Sequence, residues 1–180
     1  MLLTLVLAAA LYDVRYRRIP NWLTAGGAAV AVLLNAFLFQ TPGAFIFRYW
    51  PGVRSSLLGL VLAFGVYFVL HVLHAMGAGD VKLMAAVGAL TGPRDWFGIF
   101  VITAILGGLM ALILVVAKKR IWKTAWNLGF IVGELTHGKA AYMSNEELDV
   151  KSPKALRMPH GAVIAVGTLF FLALSAHFTR

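Results

Sequence analysis

WFGIFVITAILGGLMALILVVA, residues 96–117, is a stretch of 22 residues without a charged side chain. A helix needs about 20 apolar residues to cross the hydrocarbon core of a bilayer, so this stretch predicts a transmembrane helix. Across the chain of 180 residues, 61% are hydrophobic and only 13% are charged. A soluble domain averages about 25% charged residues, and one of this length could not bury so much apolar surface. The composition therefore predicts a protein embedded in a membrane.

Five other apolar segments, separated by charges and helix breakers, lie outside this helix. The first, Met1 to Leu11, is short for a span and is expected to continue through Asp13 toward Arg15. Val81 to Leu90 is also short, so we expect it to use flanking residues or to lie in a thinned, protein-lined region. The other approximate cores are Trp22 to Phe39, Leu57 to Leu73 and Ala162 to Ala176. We predict an all-α polytopic membrane protein with about six transmembrane helices, residues 1–180 forming a single membrane-embedded domain.

The basic residues predict how the chain is oriented. The net charge is +9, but Lys and Arg flank the apolar segments and form no basic domain, which argues against nucleic-acid binding. With the N-terminus outside, twelve basic residues fall on the cytoplasmic side and four on the other. Because cytoplasmic loops carry an excess of Lys and Arg, we expect the long connection 118–159 to be cytoplasmic. Anionic lipid headgroups are its expected partner, and Trp122, Trp126 and Phe130 predict an amphipathic helix on the membrane surface.

Several kinds of site are disfavoured by the residues present. The lack of cysteine excludes disulfides, thiolate metal sites and a cysteine nucleophile. His71 and His74 share a helical face, but no carboxylate with ligand spacing accompanies them on that helix, so no metal or other cofactor is expected. Ser55 and Ser56 have no lysine nearby on the predicted outer side, which disfavours a serine–lysine peptidase.

Two aspartates are the candidates for chemistry. Asp13 ends the first apolar segment just before three arginines, and one reading makes it an interfacial anchor paired with one of them. Asp80 follows Gly77-Ala-Gly79, where the two glycines are expected to let the backbone break and approach another chain closely. A second reading makes Asp80 a helix cap. The predicted topology brings both carboxylates to the cytoplasmic face of the membrane, where they can meet.

Two carboxylates that meet tend to share one proton, and this allows acid and base roles at one pH. In aspartic proteolysis the ionised carboxylate takes a proton from the attacking water, and the protonated one donates to the scissile carbonyl oxygen. The alternative is a small membrane transporter or channel subunit, in which Asp13 and Asp80 carry protons or bind a cation. No internal repeat in the sequence supports that alternative.

Three motifs carry a resemblance to a known family. They are Asp13-Val-Arg-Tyr-Arg-Arg-Ile-Pro-Asn21, Gly77-Ala-Gly-Asp80-Val-Lys-Leu-Met with Gly88 and Gly92 beyond it, and Met158-Pro-His-Gly-Ala-Val-Ile-Ala-Val-Gly167. In this order they resemble the type IV prepilin peptidase family, and most of all its short CpaA/TadV-like branch, which lacks the methyltransferase region. The similarity spans nearly the whole chain.

The resemblance implies an intramembrane aspartic endopeptidase of the G-x-G-D type, with Asp13 and Asp80 as its catalytic pair. Such an enzyme sits in the bacterial inner membrane and removes a short basic leader, on the cytoplasmic side, from a type IV or Flp-like prepilin or pseudopilin. His160 and Ala162 depart from the family's late motif, in which an aromatic residue and a proline are usual. Residues expected to bind substrate or shape the site are Gly77, Gly79, Lys82, Pro20, Asn21, Pro159 and Gly161.

Overall fold

The structure, a computed structural model, describes residues 1–38, 45–73, 76–119, 122, 126 and 160–178, and for 45–50 it describes the backbone alone. Pro159 and His74 therefore lie outside the described residues. Of the predicted surface helix, only Trp122 and Trp126 are described. Within them the regular structure is helical throughout, which confirms the all-α class. The helices are α1 (Leu2–Tyr16), α2 (Asn21–Leu38), α3 (Phe45–Val72), α4 (Ala78–Ala117) and α5 (His160–Phe178).

Four stretches of the described chain are long and apolar enough to cross a membrane. They are Asn21–Leu38, Pro51–Val72, Ala78–Ala117 and His160–His177. Helix α1 extends past Asp13 as expected, but its 15 residues are fewer than the roughly 20 of a typical span. The multi-pass character is therefore supported, and the number of about six spans stays a prediction.

Helix α4 contains two of the predicted segments, joined at a sharp turn. Its 40 residues would extend about 60 Å if straight, roughly twice the thickness of the hydrocarbon core. Gly92 interrupts it with φ 76° and ψ 172°, a conformation that is strained for residues with a side chain, and Pro93 follows. The first half of α4 thus ends where the Gly-Pro pair stands in the sequence.

Contacts with α3 show that the chain reverses at this turn. The backbone of Gly88 lies against that of Gly59, near the turn. Beyond the turn, the ring of Phe100 lies 5.9 Å from that of Tyr67, two helical turns further along α3. A straight helix would carry Phe100 away from Tyr67, so the two halves of α4 run antiparallel to each other.

The turn leaves one backbone carbonyl without its usual partner in the helix. Pro93 has no N–H, so it cannot donate the hydrogen bond that residue 93 would make to the carbonyl of Ala89. Two side chains from neighbouring helices donate instead. Asn35 Nδ2 on α2 lies 2.8 Å from the Ala89 oxygen, and Ser56 Oγ on α3 lies 2.6 Å from it. Both side chains are buried, as a satisfied polar contact within the bilayer requires.

The first half of α4 is the centre of the bundle. Every residue from Val81 to Ala89 is buried except Lys82. The sequence predicted that this short segment uses flanking residues or lies in a thinned, protein-lined region. The helix does begin earlier, at Ala78, and neighbouring helices enclose it. Since little of it faces lipid, its apolar length need not match the bilayer.

We predict that Asn35 and Ser56 are energetically coupled through the Ala89 carbonyl. Asn35→Ala or Ser56→Ala should each lower the free energy of unfolding by about 1 kcal/mol, because the other side chain still donates to the oxygen. The double variant should lose more than the sum, since an unsatisfied buried carbonyl costs about 1–3 kcal/mol. A double-mutant cycle of reversible unfolding in mixed micelles measures this coupling.

The matched control is Thr168→Ala, because the Thr168 hydroxyl bonds to the Ile164 carbonyl of its own helix at 2.8 Å. Combined with Ser56→Ala, it should give additive losses. Additive losses for Asn35 and Ser56 as well would contradict the shared role of the Ala89 carbonyl.

Candidate active site

Asp80 lies at the N-terminal end of the central helix. It is the third residue of α4, and the Gly77 N–H that precedes the helix donates to its Oδ2 at 3.3 Å. Only 8% of Asp80 is exposed. The sequence offered Asp80 as the cap of a helix that begins at Val81. The helix instead begins at Ala78 with Gly77 as its N-cap, and Asp80 accepts the Gly77 N–H from inside the first turn, as in a capping box. This does not exclude a chemical role, because the same side chain also lines a pocket.

The two glycines before Asp80 differ from the expectation drawn from the sequence. Gly77 has φ −77° and ψ 150°, an extended conformation open to any residue. Gly79 is already helical, and a Cβ there would make an ordinary contact of 3.4 Å with Ile19. Among the described glycines only Gly92 has a positive φ, so the backbone break that needs glycine lies at the far end of this helix.

Asp13 lies in the last turn of α1 and is held by the last helix in the chain. The Gly161 N–H, at the start of α5, donates to Asp13 Oδ2 at 2.7 Å. Gly161 is buried, and a Cβ on it would come within 3.0 Å of the Asp13 carboxylate. This bond is to a backbone amide, whereas the sequence had suggested an arginine as the partner of Asp13.

Asp13 and Asp80, far apart in sequence, line one pocket of about 490 Å³. His160, which begins α5, lies within electrostatic reach of Asp80, as does Asp13. The pocket brings together most of the residues singled out from the sequence. Its lining consists of Asp13, Arg17, Arg18, Ile19, Pro20, Asn21, Gly77, Ala78, Gly79, Asp80 and Lys82.

Three helix N-termini converge on this pocket. Helix α2 begins at Asn21, directly after Pro20 as the sequence predicts, and α4 begins at Ala78. The N-terminus of α5 reaches the pocket through the Gly161 N–H. Helix N-termini carry partial positive charge, so all three stabilise negative charge in the pocket. The arginine and lysine side chains that line it act in the same sense.

Lys82 links two of these helices at the pocket rim. Its Nζ donates to Asn21 Oδ1 at 2.9 Å, so α4 and α2 are joined across the opening. The sequence placed Lys82 among the residues expected to shape the site, and the structure puts it in the pocket lining, bonded to Asn21. His71 lies outside the pocket lining, and its Nδ1 donates to the carbonyl of Met76, the residue before Gly77, at 2.9 Å.

Sequence reasoning missed the roles of Arg17 and Arg18 in this site and the bond from His71 beside it. Arg17 ends α1 in a left-handed conformation, with φ 52°, and so turns the chain toward the pocket. Such a conformation at arginine leaves no signal in the sequence. His71 was considered only as a metal ligand, and among the described residues no three His, Asp or Glu side chains are grouped around a possible metal.

Comparison with known proteins identifies the family of the chain. The type IV leader peptidase family matches residues 1–112, a region that contains both aspartates. This chain belongs to that family. The preflagellin peptidase of Methanococcus voltae is 31% identical over 85 residues, which are 47% of this chain and 34% of that relative. The chain thus spans about a third of the length of that curated relative. No solved structure matches this chain.

Membership in the type IV leader peptidase family confirms the family resemblance read from the sequence. The short branch within the family stays a prediction. The matched region ends at residue 112, so the contact of Asp13 with Gly161 on α5 is a finding of the structure alone.

We predict that cysteines at positions 13 and 80 can be cross-linked. The chain has no native cysteine, so an Asp13→Cys, Asp80→Cys variant offers only two thiols to a short bifunctional reagent. The control is Asp13→Cys with Asp95→Cys, because Asp95 is exposed beyond the Gly92 turn, at the far end of a half-helix about 18 Å long. Only the first pair should give an internally linked chain after proteolysis and mass spectrometry. Equal linkage of both pairs would contradict the shared pocket.

Proposed function

We propose that this protein is an intramembrane aspartic endopeptidase that removes the N-terminal leader from precursors of pilin or flagellin type. The observation that carries the proposal is the convergence of Asp13 and Asp80 on one pocket. The match of the leader peptidase family to the region that holds both residues supports the same reaction. The similarity to a preflagellin peptidase supports a substrate of flagellin-precursor type.

In the proposed reaction, backbone amides hold one oxygen of each aspartate. Gly161 N–H donates to Oδ2 of Asp13, and Gly77 N–H donates to Oδ2 of Asp80. This leaves the Oδ1 atoms for water and the peptide. Because both amides lie at helix N-termini, they fix the carboxylates without a flexible side chain.

Hydrolysis then follows from one shared proton. The ionised aspartate takes a proton from water as the water oxygen bonds to the scissile carbonyl carbon, and the protonated aspartate donates to the carbonyl oxygen. The tetrahedral intermediate collapses when its hydroxyl returns a proton, the C–N bond breaks, and the new amine receives the proton taken from water. The positive helix ends around the pocket stabilise the charge that develops on the carbonyl oxygen.

The proposed location is the cytoplasmic face of a bacterial inner membrane. In the predicted topology, both aspartates fall on the side of the membrane that carries the excess of Lys and Arg, and this supports the orientation. The substrate would be a type IV, Flp-like or related precursor, with a basic leader in the cytoplasm and its apolar helix in the bilayer. Since the pocket rim is itself basic, anionic headgroups and not the rim would attract the leader.

We predict that removal of the leader requires both Asp13 and Asp80. In membranes that contain a leader-bearing precursor, Asp13→Asn and Asp80→Asn should each lower the rate of leader removal by at least about 100-fold, because each removes an acid–base group. Asparagine keeps an oxygen that can accept the Gly161 or Gly77 N–H, so the fold should be retained. The shift of the precursor on a gel, with mass spectrometry of the new N-terminus, measures the rate.

The matched control is Asp95→Asn, an exposed aspartate at the other end of the central helix. It should trim at the wild-type rate. Normal trimming by both Asp13→Asn and Asp80→Asn would remove the basis for an aspartic mechanism.

A further inference from the structure

A second concavity, of about 420 Å³, lies between α1 and α2. Thr4 and Ala8 form part of its wall on α1, and Trp22, Gly26 and Val30 form part of its wall on α2. No charged side chain lines it. We call it the α1–α2 groove, and its surface is therefore suited to an apolar partner.

The α1–α2 groove begins where the carboxylate pocket ends. Asn21 lines the pocket and the next residue, Trp22, lines the groove. Trp22 is 67% exposed. Its ring packs edge-on against the ring of Tyr12, the residue before Asp13, with a distance of 6.4 Å between ring centroids. A chain that leaves the pocket along α2 therefore enters the groove without crossing another helix.

The floor of the groove allows a helix to approach closely. Gly27 packs against Leu5, since a Cβ on it would come within 2.8 Å of Leu5 Cδ1. A Cβ on the neighbouring Gly26 would have nothing within 4 Å, so Gly26 faces open space. Small residues at such positions favour close helix packing in lipid. The rise of α2 from Trp22 to Val30, which line the groove, is about 12 Å, a little over two helical turns.

We propose that the α1–α2 groove binds the first two to three turns of the precursor's apolar helix, on the C-terminal side of the bond that is cut. This proposal rests on the peptidase function proposed above. The groove runs from the carboxylates into the apolar part of the bundle, as the substrate's helix runs from its cleavage site into the bilayer. A helix fits the glycine floor, whereas a flexible acyl chain gains nothing from it.

A bulky residue in the groove tests this proposal. Gly26→Leu fills open space and should fold, and its control is Gly65→Leu, another exposed glycine whose Cβ would have nothing within 4 Å. Two substrates are compared: the full precursor, and a short peptide that carries the leader and cleavage site without the apolar helix. In Gly26→Leu the ratio of kcat/KM for precursor to that for peptide should fall about tenfold, mainly through KM, as expected for one lost helix contact. In Gly65→Leu the ratio should stay at its wild-type value.

A binding measurement that needs no cleavage completes the test. A photoreactive amino acid at position 26, in the Asp80→Asn background, should cross-link to the first turns of the precursor's apolar helix, and one at position 65 should not. Cross-links only to lipid or to a second copy of the chain, or an equal fall of the ratio in both leucine variants, would overturn the proposal. Failure of the peptidase function itself would look different, because the wild-type protein would then cut neither substrate.

Discussion

The bundle depends on how the Ala89 carbonyl is satisfied inside the membrane. Pro93 cannot bond to it, and within a bilayer no water is at hand to replace the missing donor. Asn35 and Ser56 bond to it from two different helices. These bonds join α2 and α3 to the same residue of α4. The carbonyl left without a partner by Pro93 thus links three helices.

The same turn sets up the candidate active site at the other end of the bundle. Because α4 reverses at Gly92, its first half stays central and presents Asp80 at its N-terminus. Its second half packs against α5, where Thr103 contacts Gly167, and so positions the start of α5 beside α1. Gly161 can then donate to Asp13. Asp13 and Asp80 line one pocket because of a turn that lies about 18 Å from Asp80 along the helix.

The sequence predicted the helices and the residues of the site, but not how they are held. Apolar length located the helices, and the motifs around Asp13 and Asp80 identified the pocket, since both follow from local composition. The break at Gly92-Pro93 was also predicted, since the sequence separated the segments Val81 to Leu90 and 96–117 at this Gly-Pro pair, which marks a turn. The bonds from Asn35, Ser56 and Gly161 join residues remote in sequence, and composition carries no signal for such pairs. The sequence also predicted a backbone break that needs glycine at Gly77 and Gly79, but neither has a positive φ, although a Cβ on Gly77 would come within 3.3 Å of the Asp80 carboxylate.

The position of the pocket at converging helix N-termini suits hydrolysis of a membrane helix. A peptide bond inside a helix is shielded by its own hydrogen bonds, so it must be unwound before water can attack, and unwinding is costly within lipid. At helix ends the exposed amides of the enzyme can bond to an unwound chain and stabilise negative charge. The positive helix ends and the basic rim reduce the repulsion between two carboxylates that line one pocket. The proposed hydrolysis is therefore favoured at a pocket where helices begin.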